Sequence, residues 1–126
     1  VAQALRYNAN GELSETSMHK MVIQWVRLNP HLSPYVIHIP NEGKRSLQTA
    51  ATLKAMGMRS GVSDLFIALP KGGYHGAWIE LKTQKGRMSD AQEQFFADMQ
   101  KAGYYTALCR GFDEAIATIA HYSHLE

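Results

Sequence analysis

The sequence predicts an α/β fold, a mixed β-sheet flanked by helices in the order α-β-α-β-β-α-β-α. Three observations predict it. Apolar residues recur at helical spacing after Ser14 and after Ser89. Short β-branched and aromatic runs, bounded by Pro and Gly, lie between the helical segments. Two of those runs follow one another across Gly72-Gly73, which places a hairpin inside an otherwise alternating chain.

Residues 1–13 read as a loose N-terminal segment, with Asn8, Asn10 and Gly11 as turn formers. Ser14, Thr16 and Ser17 are each eligible to cap the first helix. Met18, Met21, Val22, Trp25 and Val26 form its apolar stripe, and Pro30 and Pro34 end it. Residues 35–39 read as a short strand stopped by Pro40. After the turn at 41–43, Leu47, Ala50, Ala51 and Met56 mark a second helix that Gly57 closes.

Residues 64–69 carry apolar side chains on both faces, as a central strand does. Residues 77–83 read as its hairpin partner. Ser89 caps the next helix, and Gln92 three positions on completes a capping-box pattern. That helix carries Phe95, Phe96 and Met99 and ends at Gly103. Residues 104–109 read as a fourth strand and 113–122 as a last helix. At 126 residues with 45% hydrophobic content, the chain is expected to form one domain over 1–126.

Composition excludes some classes. No run approaches the roughly 18 apolar residues of a membrane span, and the opening residues are too polar for a secretory signal. A lone Cys109 rules out an intrachain disulfide framework and suits an intracellular, cytoplasmic setting. Its apolar neighbours favour a buried structural thiol. The six histidines do not make a zinc site: His121 and His124 have no Cys pair and read as part of a frayed tail. Spacing does not show whether His38 and His75 approach a site.

Charge distribution is more informative than the net +2. Residues 43–87 hold eight Lys and Arg but only two acids, Asp64 and Glu80. Glu80 and Lys82 are two apart in a strand, so they share a face. Acids inside a cationic stretch fit a divalent ion facing a phosphate. Asp64 and Glu80, from neighbouring strands, are placed to hold Mg²⁺ or Mn²⁺, which lowers the pKa of a bound water and binds phosphoryl oxygens. Lys82 is placed to hold that water or stabilise developing charge. The Leu81 side chain is expected in the core, with its backbone carbonyl a possible ligand. The same residues also fit a surface ion pair beside a turn-capping aspartate.

The run Gly61-Val62-Ser63-Asp64, then about fifteen residues, then Glu80-Leu81-Lys82 resembles the PD-(D/E)xK nuclease signature. With residues 40–45, 54–57 and 89–92, the chain is similar to the VRR-NUC branch from about Glu15 to its end. The resemblance implies a restriction-endonuclease-like sheet and metal-dependent DNA cleavage. It implies Asp64 and Glu80 as ligands, Lys82 as the catalytic lysine, Glu15 as a further acid, and Gln92 orienting the lysine or contacting DNA. Ser63 stands where the named motif has proline, which shapes a turn and does no chemistry.

Several of these residues have simpler roles available. Glu15 suits a helix first turn, and Gln92 serves a capping box. Glu42 fits a solvated turn. Lys44 and Arg45, where a second helix begins, and Lys54, nine residues beyond Arg45, are candidate DNA contacts, as are Lys85 and Arg87 around Gly86. Trp25, Phe95 and Phe96 fit a core better than base stacking. The expected activity is a structure-specific endonuclease on branched DNA such as four-way junctions, as a homodimer because a junction has two strands to cut. A non-catalytic nucleic-acid-binding module is the alternative, and a protein-interaction domain is a third possibility.

Overall fold

A computed structural model describes residues 4–40 and 47–126. Their elements keep the predicted order: α1 (Glu15–Arg27), β1 (Val36–His38), α2 (Leu47–Ala55), β2 (Leu65–Ile67), β3 (Ala77–Lys82), α3 (Asp90–Lys101), β4 (Tyr105–Arg110) and α4 (Phe112–Ser123). A single 3₁₀ turn, Ser33–Tyr35, leads into β1 with Pro34 near its start.

Ser14 is the cap of α1: its hydroxyl accepts the Ser17 N–H at 3.1 Å. The segment before it, expected to be loose, is tied down over residues 6–14. Asn8 Oδ1 accepts the N–H groups of Asn10 and Glu12, Tyr7 bridges Leu13, and Arg6 N donates to Ser17 Oγ at 2.8 Å. An asparagine that satisfies two backbone donors organises a turn without a large core.

The sheet runs β1-β2-β3-β4, antiparallel for the first two pairs and parallel for β3 and β4. The hairpin of β2 and β3 pairs Leu65 with Ile79 and Phe66 with Trp78. Because β4 comes after α3, its parallel pairing with β3 makes a β-α-β crossover.

Strand alternation sorts side chains to two faces. Leu65, Ile67, Ala77, Ile79 and Leu81 turn toward Met18, Val22 and Val26 of α1 and Ala115, Ile119 and Tyr122 of α4, forming the main core. Phe66 and Trp78 turn the other way, where Phe95 of α3 meets Trp78 edge-on at 4.9 Å. Phe95 is therefore a core residue, as expected; Trp25 packs half-buried against the main core. Cys109 is buried, and that burial raises its thiol pKa, as befits a structural role.

The C-terminus is ordered rather than frayed. His124 ends α4 and its Nδ1 lies 2.7 Å from Ala120 O, while buried Tyr122 donates its hydroxyl to Leu69 O at 2.6 Å. No helix among the described residues is long and apolar enough to cross a membrane.

Candidate active site

The geometry of β2 and β3 determines the site. Their register, continued one residue past Leu65–Ile79, sets Asp64 opposite Glu80. By alternation Glu80 turns to the face away from Ile79 and Leu81, while Asp64, one residue before β2, lies at the end of that strand and lines the cleft on the α1 side. Asp64 is 8% exposed and Glu80 2%. Asp64 Oδ2 accepts the Leu81 N–H at 2.8 Å, which pins the aspartate to the strand that carries Glu80. Its backbone carbonyl accepts Ile39 N at 2.9 Å and faces His38 Nδ1 at 3.0 Å, so β1 fixes it from the other side.

Glu80 meets three side chains. Gln92 Nε2 donates to Glu80 Oε2 at 3.1 Å, and Lys82 Nζ stands 3.8 Å from the same oxygen. The third is Asp64, which stands opposite Glu80 in the strand register and acts on it through its charge. Burial first, then the Asp64 charge and hydrogen bond, with a further push from Glu15, hold the Glu80 pKa up at about 8 against the pull of Lys82. At neutral pH the Glu80 carboxyl is therefore held mainly in its protonated form.

The loop that delivers Asp64 is anchored on α3. Gly61 has φ +83°, and a Cβ there would collide with the carbonyl group of Ala91. Only glycine allows this approach in this conformation. Arg59 adds a clasp, bonding Asp98 at 2.6 Å and lying 5.1 Å over the Phe95 ring.

On the α1 side the site opens into a cleft of about 250 Å³ lined by Glu15, Thr16, His19, Lys20, His38, Asp64 and Leu81. Among the described residues, no three of His, Cys, Asp and Glu stand together as a ready-made metal-holding set. Asp64 and Glu80 are a pair, and Glu15 faces the same cleft as Asp64. A pair of hard, buried carboxylates on neighbouring strands is a donor set suited to Mg²⁺ or Mn²⁺.

The VRR-NUC domain profile matches residues 4–113. The chain belongs to the VRR-NUC family. A solved structure titled "VRR_NUC domain protein" shares 30% identity, covers 90% of each chain, and superposes with a TM-score of 0.81. A search of curated proteins finds no match. A VRR-NUC domain is a nuclease-type domain, and a mixed sheet with flanking helices is its fold.

Within this VRR-NUC fold, Asp64, Glu80, Lys82 and Gln92 come together. The Leu81 side chain is in the core, and the Leu81 N–H serves Asp64. The amide of Gln92 touches Glu80 rather than Lys82, and its oxygen still closes the capping box. The capping role is therefore seen, while the amide expected at the lysine stands on the neighbouring acid instead.

Among the candidate DNA contacts, Lys54 is exposed in the last turn of α2, where a cation suits the helix dipole. Lys85 and Arg87 are exposed on the loop after β3, which Arg110 steadies by donating to Gly86 O at 3.0 Å. Lys44, Arg45 and Glu42 lie outside the described residues. His38 reaches the cleft, where its ring meets His19 edge-on at 4.4 Å. His75 instead packs against Gly103 and Tyr104. The sequence reading missed His19 and Lys20. Their signal was spacing, since Glu15, Thr16, His19 and Lys20 form the i, i+1, i+4, i+5 pattern of one helix face.

Proposed function

We propose that this chain is a metal-dependent endonuclease that hydrolyses phosphodiester bonds in DNA, with branched DNA such as four-way junctions as its substrate. The observation that carries the reading is the pair of carboxylates Asp64 and Glu80, buried opposite each other beside Lys82. Leaving two acids in a dry site costs stability. A site built for a fold alone has no use for that cost.

Asp64 and Glu80 would hold Mg²⁺ or Mn²⁺, with Glu15 and the Leu81 carbonyl as supplementary oxygens. When bound, such an ion supplies an activated water and neutralises phosphoryl charge. Lys82, at 13% side-chain exposure, is shielded enough for its ammonium to act strongly on charge developing at the phosphate. Gln92 holds Glu80 in place. The donors His19 and Lys20 on the α1 wall of the cleft are suited to the incoming backbone.

Lys54, Lys85 and Arg87 are exposed cations of the kind that position a backbone without reading sequence. Such contacts favour recognition by shape, and a branch point is a shape. Two strands cross at a junction, so a twofold homodimer would present one site to each.

A cleavage panel tests this. Linear, flapped and four-way synthetic DNA are incubated with the protein and Mn²⁺, alongside Glu80→Ala. Cleavage should favour the branched forms and vanish in the variant, while DNA binding persists or tightens. Salt-sensitive binding with no cutting of any substrate by the wild type would instead favour a non-catalytic binding module.

A further inference from the structure

The capping box of α3 and the carboxylate pair share one side chain. Gln92 Oε1 accepts the Ser89 N–H at 2.8 Å, Gln92 Nε2 donates to Glu80 Oε2 at 3.1 Å, and Ser89 Oγ accepts the Gln92 N–H at 3.1 Å. An amide is planar, so gripping its oxygen aims its nitrogen. We propose that Ser89, through its backbone N–H, is a positioning residue for Glu80: it clamps one end of the Gln92 amide so that the other end holds the carboxylate.

The helix cap alone does not explain the residue choice. A capping box closes equally well with glutamate at this position. Ionised glutamate only accepts hydrogen bonds and has nothing to donate to Glu80. Glutamine both closes the box and presents an N–H to the acid. Gln92 Nε2 is the side-chain donor that Glu80 meets directly. Asp64 is a second acid, and Lys82 at 3.8 Å is too far for a direct hydrogen bond. The Gly61 contact with Ala91 and Gln92 brings the Asp64 loop to the same helix start. One turn of α3 therefore sets the positions of both acids.

This inference rests on the reading of Asp64 and Glu80 as metal-holding carboxylates, and two Ser89 substitutions isolate it. Ser89→Ala and Ser89→Pro both lose the hydroxyl, but only proline also loses the N–H. Ser89 has φ −71°, within proline's range. Three quantities are compared: the Mn²⁺ concentration for half-maximal cleavage, Mn²⁺ affinity by calorimetry, and the Gln92 side-chain amide signals of the metal-free protein by NMR.

Ser89→Ala is expected to weaken Mn²⁺ affinity by about twofold or threefold. Ser89→Pro is expected to weaken it by about ten- to a hundredfold, the usual effect of losing a partner behind a metal ligand. The Gln92 amide signals should move in Ser89→Pro and stay near their wild-type positions in Ser89→Ala. If the two variants match in affinity and in amide signals while both keep α3 intact, the proposal is overturned. A wild type that takes up no Mn²⁺ defeats the nuclease reading, and the amide signals then decide the clamp by themselves. If the proline variant does not fold, Gln92→Met takes its place. That variant must both weaken Mn²⁺ affinity and expose the Ser89 amide to hydrogen exchange; wild-type behaviour in either one overturns the clamp.

Discussion

Gly61 packs against the backbone of Gln92: a Cβ at Gly61 would stand 2.7 Å from Gln92 N, closer than real side-chain contacts allow. The loop carrying Asp64 and the helix carrying Gln92 thus meet at a point with no room for a methyl group. Gly61→Ala should cost about 2–4 kcal/mol, combining the left-handed backbone penalty with forced separation of loop and helix. Urea unfolding measures it. A loss below about 1 kcal/mol would mean that the loop does not sit tightly on α3.

The Glu80 carboxyl predicts a pH dependence of stability. Its pKa is about 8 in the folded chain against an ordinary 4.5. Between those values the folded state holds a proton that the unfolded state has released. The associated stability is full below 4.5 and is lost as pH rises through about 8. The slope is about 1.4 kcal/mol per pH unit for one proton. Metal-free wild type should lose stability between about pH 5.5 and 7.5 relative to Glu80→Gln, which carries no titrating group there. Parallel pH profiles for the two proteins would contradict the raised pKa of Glu80.

Ser63 makes a prediction of the opposite sign. Ser63 is 1% exposed, and its buried hydroxyl has no hydrogen-bond partner among the described residues. Removing a buried, unsatisfied hydroxyl relieves its desolvation cost. Ser63→Ala should therefore raise stability by about 1 kcal/mol. A lower melting temperature would show that the hydroxyl has a partner.

Lys82→Ala addresses chemistry apart from folding. Lys82 stands 3.8 Å from Glu80 without a tight bond, and Glu80 is held mainly protonated at neutral pH, so loss of Lys82 should change stability by no more than about 1–2 kcal/mol. Cleavage should fall by at least about a hundredfold, as when a preorganised charge is removed from a transition state. Single-turnover cleavage and thermal melting together check it. Substantial remaining activity would remove Lys82 from the catalytic set.

Much of this was legible because it is local. Ser14 and Ser89 announce helix starts by residue type and by the apolar spacing and box partner that come after them. The face shared by Glu80 and Lys82 is a consequence of strand alternation. The Asp64–Glu80 approach is another, once the two runs around Gly72-Gly73 are read as a hairpin. The features that were not legible depend on packing between distant segments. The parallel placement of β4 beside β3 depends on how α3 returns the chain. The bond from Gln92 to Glu80 depends on the distance between helix and sheet, which no residue spacing encodes. The shared helix face of His19 and Lys20 is legible from spacing, but that it walls a cleft depends on α1 packing beside β1. The order of residues 6–14 was missed because Asn8 and Gly11 mark a turn without saying that its ends are bonded.

The most direct measurement is calorimetric titration of the metal-free protein with Mn²⁺ at neutral pH, beside Asp64→Asn and Glu80→Gln. Saturable binding is expected in the wild type, with about one proton released per ion as the metal replaces the proton that the raised pKa leaves on Glu80. Binding should be lost or greatly weakened in both variants. No saturable uptake by the wild type, or undiminished uptake by the variants, would contradict the assignment of these carboxylates as a metal site.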